Sequence, residues 1–178
     1  MSRAAQTELA VLGALSVAPM SGYAVRQAIA DTLGHFWHES FGQIYPTLAA
    51  LESAGLIRRD GPGATSGSVF RITAAGRRRL RRLLAEPVPT SPPRDALLLR
   101  LFFGRHLGVA GTKALLADAL AAAEAKAAEL AALHAEVQAE AQTEDHPYWL
   151  MTISAGRHAA AARIDWLRES LAALAPPS

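Results

Sequence analysis

His35 and His38 stand three residues apart with Glu39 beside them, a cluster whose residue types invite metal chemistry. An i, i+3 pair of histidines shares one face of a helix and could supply two of the four donors that zinc takes. The set stops there. The chain has no cysteine, and neither a further close histidine nor a carboxylate at ligand spacing completes the site. The absence of cysteine also removes disulfides, Cys nucleophiles and iron–sulfur clusters. No phosphate-binding loop and no nucleophile elbow occurs. The sequence therefore predicts no enzyme, no metal and no cofactor.

The other chemistry in the chain is cationic, and it is unevenly placed. Residues 1–86 hold ten arginines, no lysine and six acids, a net charge of +4. Residues 87–178 hold eight bases against ten acids, a net of −2, so the halves sum to the chain's +2. A basic half joined to an acidic half fits a chain of which only the first half meets a polyanion. Arg58, Arg59 and Arg71 are candidate phosphate contacts. Five arginines in the six positions Arg77–Arg82 cannot all share one helix face. Whether that run touches DNA or is a solvated surface stays open.

The elements that must position these side chains follow from punctuation and period. Four prolines between Glu86 and Arg94 mark a linker, since proline ends helices and restricts the residue before it. The expected organisation is a domain over residues 1–86, a linker over 87–94 and a second domain over 95–178. In the first domain, residues 7–17 read as a helix ended by Pro19. Ser21 can cap a second helix over 22–33, and Ser40 a third that Gly55 stops. The third helix carries Ile44, Leu48 and Leu51 at i, i+4, i+7. Residues 56–59 and 68–73 then read as strands around a turn-rich tip. Thr73 can cap a helix to about residue 85, with Leu80, Leu83 and Leu84 as its apolar line.

Three helices followed by a two-stranded ribbon is a winged helix-turn-helix, a shape that sets one helix into the DNA major groove. With Ile44, Leu48 and Leu51 inward, Gln43, Pro46, Ala50 and Ser53 face out and Thr47 lies at the border. Base reading falls to the N-terminal part of such a helix. Ser40, Gln43 and Thr47 are thus the expected readers, and Gln43 suits an adenine edge. Tyr45, at the flank, either packs on Tyr23 or offers its hydroxyl to a phosphate. Ser68 in the second wing strand joins Arg58, Arg59 and Arg71 as a candidate backbone contact. A winged-helix module that binds protein without specific DNA binding is the rival reading.

The residues Gly22-Tyr23, the run Trp37-x-x-Ser40-x-x-Gln43-Ile44-Tyr45-Pro46-x-Leu48-x-x-Leu51-Glu52-x-x-Gly55-Leu56-Ile57 and the run Phe70-x-Ile72-Thr73-x-x-Gly76-x-x-x-Leu80 resemble the PadR family of transcriptional regulators. Leu101-Phe102-Phe103, Gly156 and Ile164-Asp165-Trp166-Leu167 resemble the helical C-terminal domain of its long branch. The resemblance implies a homodimeric, ligand-responsive repressor acting on an inverted-repeat operator of double-stranded DNA, with a small aromatic or cationic effector. Where the family carries a basic pair and a tyrosine in the second wing strand, this chain has Ser66-Gly67-Ser68-Val69-Phe70. That departure weakens the expected hold of the wing tip on phosphate.

The second half reads as helical throughout, with helices over 95–106, 112–142 and 147–174. The expected fold class is mostly α, a winged helix-turn-helix plus a C-terminal helical dimerisation domain. Leu116, Leu120, Ala123, Ala127, Leu130, His134 and Val137 follow a 4, 3, 4, 3, 4, 3 spacing. Such a seam serves either a dimer or packing within one subunit. Phe102, Phe103, Trp149 and Trp166 are candidates to line an effector pocket, although helical core is the more common reason for such aromatics. No stretch is apolar for the roughly 18 residues that span a bilayer. The first six residues do not read as a signal peptide. A cytoplasmic location without membrane contact is expected.

Overall fold

The computed structural model describes residues 2–34, 36–37, 41–60, 68–88, 94–140 and 142–174. The chain divides into two compact units, Met1–Ser91 and Pro92–Ser178. The division falls inside the proline-rich segment.

In the first unit, helix α1 (Arg3–Val17) is capped by Ser2, whose Oγ accepts from the Ala5 amide at 3.2 Å. Strand β1 (Met20–Ser21) follows, and Ser21 caps α2 (Gly22–Ala28) by accepting from the Ala24 amide at 3.1 Å. The expected single helix over 22–33 loosens in its last part into a π-helical turn, Ile29–Leu33. A 3₁₀ turn (Phe41–Gln43) leads into α3 (Ile44–Ser53), so the helix proper starts after Gln43. The expected cap, Ser40, lies outside the described residues. At the other end Gly55 takes φ +67°. The Leu56 amide reaches the Leu51 carbonyl and the Gly55 amide the Glu52 carbonyl, both at 2.9 Å. This satisfies the orphan carbonyls of α3 in the manner of a glycine-stopped helix.

Strands β2 (Ile57–Asp60) and β3 (Val69–Ile72) pair antiparallel, with Ile57 opposite Ile72 and Arg58 opposite Arg71. The expected two-stranded wing gains a third strand: β1 pairs with β3, giving the order β1-β3-β2. Two residues are too short for a period-2 pattern to be read, which is why the sequence hid it. Helix α4 (Ala74–Leu84) closes the unit, capped by Thr73. Its buried line is Gly76 and Leu83 with Leu80 partly covered; Leu84, expected inward, is exposed. The core joins Val11, Leu12, Leu15, Val25, Ile29, Ile44, Leu48, Leu51, Ile57, Phe70, Ile72 and Leu83. Each such side chain contributes about 1.5–3 kcal/mol over exposure, against about 0.2–1 kcal/mol for an exposed ion pair. The core therefore holds this unit together, and its ion pairs tune it.

In the second unit, Asp95 caps α5 (Ala96–Phe102), its Oδ1 accepting from the Leu97 and Leu98 amides at 2.8 and 3.1 Å. The expected helix to residue 106 breaks instead into a 3₁₀ turn (Gly104–His106), and α6 (Gly108–Ala139) begins four residues earlier than expected. Gly108 at φ +68° makes the corner. Helix α7 (His146–Ala173) runs back along α6. Leu116, Leu130 and Val137 of the seam are buried, together with His146, Ile153 and Leu167 of α7. A Cβ on Gly156 would meet Leu130 Cδ1 at 3.2 Å. The seam thus packs within one subunit. Among the described residues no helix is long and apolar enough to cross a membrane.

Candidate nucleic-acid interface

The approach of α2 to α3 sets the pose of the helix that carries the expected base readers. Gly22, the first residue of α2, is buried, and a Cβ there would stand 3.0 Å from Tyr45 Cε1 and 3.4 Å from Leu48 Cδ1. A side chain at this position would press on the Tyr45 ring, so glycine favours this close approach of α3. Tyr45 rests against Gly22 on one side and is otherwise 51% exposed. Tyr23 is also exposed, and no ring contact between the two tyrosines is present among the described residues. Gln43, Pro46, Ala50 and Ser53 are exposed along the outer face of α3, with Thr47 half-buried at its edge. Gln43 precedes α3, and its side chain makes no cap bond. Its amide group is thus available at the N-terminal end of the helix.

Beside α3 lies the sheet, and here carboxylates enter that the sequence did not single out as partners. Arg59 donates from Nε and Nη2 to both carboxylate oxygens of Glu52 at 3.1 and 2.9 Å. Its guanidinium lies 5.0 Å over the Phe70 ring. Glu52 lies in the last turn of α3 and Arg59 sits in β2, so this fork ties the sheet to α3. The Arg59 hydrogen bonds hold the Glu52 carboxyl below its ordinary value, outweighing desolvation. On the other face of the ribbon, Arg58 and Arg71 stand directly opposite each other. Like charges so placed repel. Asp60 relieves them, accepting from Arg71 Nε at 2.9 Å and lying 3.7 Å from Arg58. The Arg71 hydrogen bond lowers the Asp60 pKa from its usual value. Arg58 keeps 65% of its side-chain surface in solvent and Arg71 47%. Ser68 is half-buried just before β3.

The signal for one of these partners was in the sequence. Asp60 is two residues from Arg58 and so on the same strand face. Glu52 is seven residues from Arg59, across a glycine-stopped corner, and only the fold reveals that pair. His35, His38 and the wing tip over residues 61–67 lie outside the described residues. Among the described residues no group of three or more His, Asp and Glu is placed to hold a metal ion.

Of the four aromatics expected to line an effector pocket, Phe103 borders a groove in the second unit. This open groove of about 620 Å³ is lined by Leu99, Arg100, Phe103, His106, Leu107 and neighbouring residues of α6. Phe103 belongs to it; Phe102, Trp149 and Trp166 do not. Phe102 meets Phe103 edge to face at 5.1 Å and is otherwise 84% exposed. Trp166 is half-buried under the Arg163 guanidinium, 4.8 Å from its ring.

Two family models match the chain: the transcriptional regulator PadR-like family over residues 11–82 and the virulence activator alpha C-terminal domain over residues 93–175. A probable transcriptional regulator of Mycobacterium tuberculosis is 33% identical over 93 residues, half of this chain and 49% of that protein. The negative transcriptional regulator PadR of Bacillus subtilis is 28% identical over 138 residues, 75% of each chain. Its structure in complex with operator DNA has a TM-score of 0.82, at 24% identity, covering 94% of this chain and 98% of that one. The PadR-like regulator BC1756 of Bacillus cereus gives 0.80, at 26% identity, covering 94% and 97%. The chain, a winged helix-turn-helix followed by a helical unit and similar along nearly its whole length to solved PadR-like regulators, thus carries a PadR-like transcriptional-regulator domain over residues 11–82 and a virulence activator alpha C-terminal domain over residues 93–175.

Proposed function

We propose that the protein is a homodimeric, sequence-specific DNA-binding repressor whose operator is an inverted repeat. The observation that carries this reading is the outer face of α3. Gln43 stands exposed and uncapped at its N-terminal end, and the exposed Arg58 and Arg71 lie on the ribbon beside it. Gln43, Thr47 and Ser40 are assigned to base edges, since the major groove is read by the first turns of such a helix. Arg58 and Arg71, with Ser68 and the Tyr45 hydroxyl, are assigned to the backbone. Arg59 is already forked to Glu52, so its main service is to seat the ribbon. The B. subtilis relative, named a negative regulator and solved with operator DNA, supports the repressor part.

The dimer surface is assigned to α5. Not one residue of its Ala-Leu-Leu-Leu-Arg-Leu-Phe sequence is buried. Leu98 and Phe102, one turn apart, form an apolar stripe left in water. Such exposed apolar surface marks an interaction site. The neighbouring stripe, Leu99 and Phe103, borders the groove with Arg100. That groove is assigned to a small aromatic effector, the class to which the p-coumaric acid bound by the B. subtilis protein belongs.

The test is duplex binding by the full chain across a salt series, with a footprint on the operator selected from a random pool. Two half-sites about 34–36 Å apart are expected, with affinity falling by about 0.9 log units per log unit of salt for each phosphate neutralised. A flat salt response would favour the protein-binding module, and a single asymmetric half-site would remove the dimer.

A further inference from the structure

The arginine run of α4 is not used by the surface just described, and the structure sorts it. At about 100° per residue, Arg77, Arg78, Arg81 and Arg82 fall in an arc of about 140°. That arc is centred opposite Gly76, Arg79, Leu80 and Leu83, which face the core. The four are exposed. The fifth, Arg79, turns inward and forks to Glu8 of α1 with two bonds of 2.8 Å. With Leu83 only 1% exposed, that fork fixes the roll of α4 on α1. Among the described residues none of the four outward arginines has a carboxylate at ion-pair distance. The nearest thing to internal satisfaction is one long bond, Arg81 Nε to the Arg77 carbonyl at 3.4 Å.

A solvated helix surface usually mixes signs, because like charges at i, i+4 repel. This one repeats the same charge at both such pairs, Arg77–Arg81 and Arg78–Arg82, with no acid in α4. The run rises about 7.5 Å along the helix, a length of duplex axis that carries about four phosphates. All four positions are arginine, whose planar fork matches phosphate better than lysine does. Helix α4 packs mainly against α1 rather than α3, so its arginine face belongs to a different element from the outer face of α3.

We propose that Arg77, Arg78, Arg81 and Arg82 form a second DNA contact, which grips the sugar-phosphate backbone of duplex outside the half-site read by α3. The contact rests on the DNA-binding reading above. It carries no base specificity, and its occupant is duplex DNA rather than an acidic protein.

The experiment compares the full-length wild type with R77Q/R78Q/R81Q/R82Q and with the corresponding fourfold Arg→Lys variant. The probe is the duplex that wild type selects from a random pool. It is used once trimmed to its two half-sites and once with about one helical turn of mixed-sequence duplex added at each end. Circular dichroism confirms that all three proteins keep their helices. The glutamine variant is expected to lose two to four units of salt slope on the flanked probe, at about 0.9 per phosphate. It should lose little on the trimmed one and select the same sequence. The lysine variant should keep most of the slope. An unchanged slope for the glutamine variant on flanked DNA overturns the proposal. So does an unchanged slope accompanied by lost retention on polyglutamate, which would assign the face to an acidic protein. If wild type selects no sequence while the glutamine variant still loses slope, the sequence-reading function fails and the backbone contact stands.

Discussion

Single residues in this protein act through close approaches that only the fold makes visible. Gly76 is the clearest. It lies in the first turn of α4, where a Cβ would stand 2.1 Å from the Leu56 carbonyl oxygen and 2.8 Å from Ile72 Cγ1. That oxygen already accepts from the Thr73 amide and hydroxyl, both at 3.0 Å. The obstacle is thus backbone held from two sides. Gly76→Ala would gain about 1 kcal/mol of helix propensity but must force α4 off Leu56. A net loss of about 1–3 kcal/mol is expected, seen as a lower denaturant midpoint at unchanged slope. A midpoint equal to wild type would mean that α4 shifts without cost. The sequence showed Gly76, Gly22 and Thr73 as positions in a pattern. It showed the reason only for the caps, because a cap bonds within three residues. The reasons for Gly22 and Gly76 are Tyr45 and Leu56, which are remote in the chain. Glu52 escaped for the same reason: its partner Arg59 depends on which strand lies beside which helix.

At the scale of elements, periodicity was a good guide and boundaries were not. The Ile44, Leu48, Leu51 stripe placed α3 correctly, and its exposed face followed at once. The two-residue β1 had no period to show, and the π turn over Ile29–Leu33 looks helical in any pattern. The seam of α6 was legible as a stripe, but a stripe does not say which helix covers it. In the proposed DNA-binding mode, α3 and the ribbon divide the work. Gln43→Ala removes the amide that suits an adenine edge, so it should change the preferred sequence and cost about 1–3 kcal/mol on the best site. Arg58→Ala removes an exposed charge, so it should weaken all duplexes alike and lower the salt slope by about one. Competition of both variants against selected and scrambled duplexes separates the two. Identical behaviour would show that base reading and backbone holding do not divide between α3 and the ribbon.

At the scale of the whole molecule, the proposed dimer decides the affinity. Joining two half-site contacts through one dimer can raise affinity by roughly 10²–10⁴ over a single contact. Two surfaces in the second unit compete for that role, and burial separates them. Leu130 is 2% exposed and abuts Gly156 across the α6–α7 contact. An aspartate there would leave an unpaired carboxylate between two helices of one subunit, which is costly whatever the oligomeric state. Leu130→Asp should therefore reduce helix content and unfold the second unit. Phe102 is 84% exposed, and no residue of its helix is fully buried in the monomer. Phe102→Asp should leave helix content and thermal midpoint nearly unchanged, yet sediment as a monomer. The same variant should lose roughly 10²–10⁴ in affinity for the inverted repeat while keeping wild-type affinity for an isolated half-site. The opposite result, a dimeric Phe102→Asp and a folded, monomeric Leu130→Asp, would make the α6 seam the dimer interface and leave the stripe on α5 without its partner.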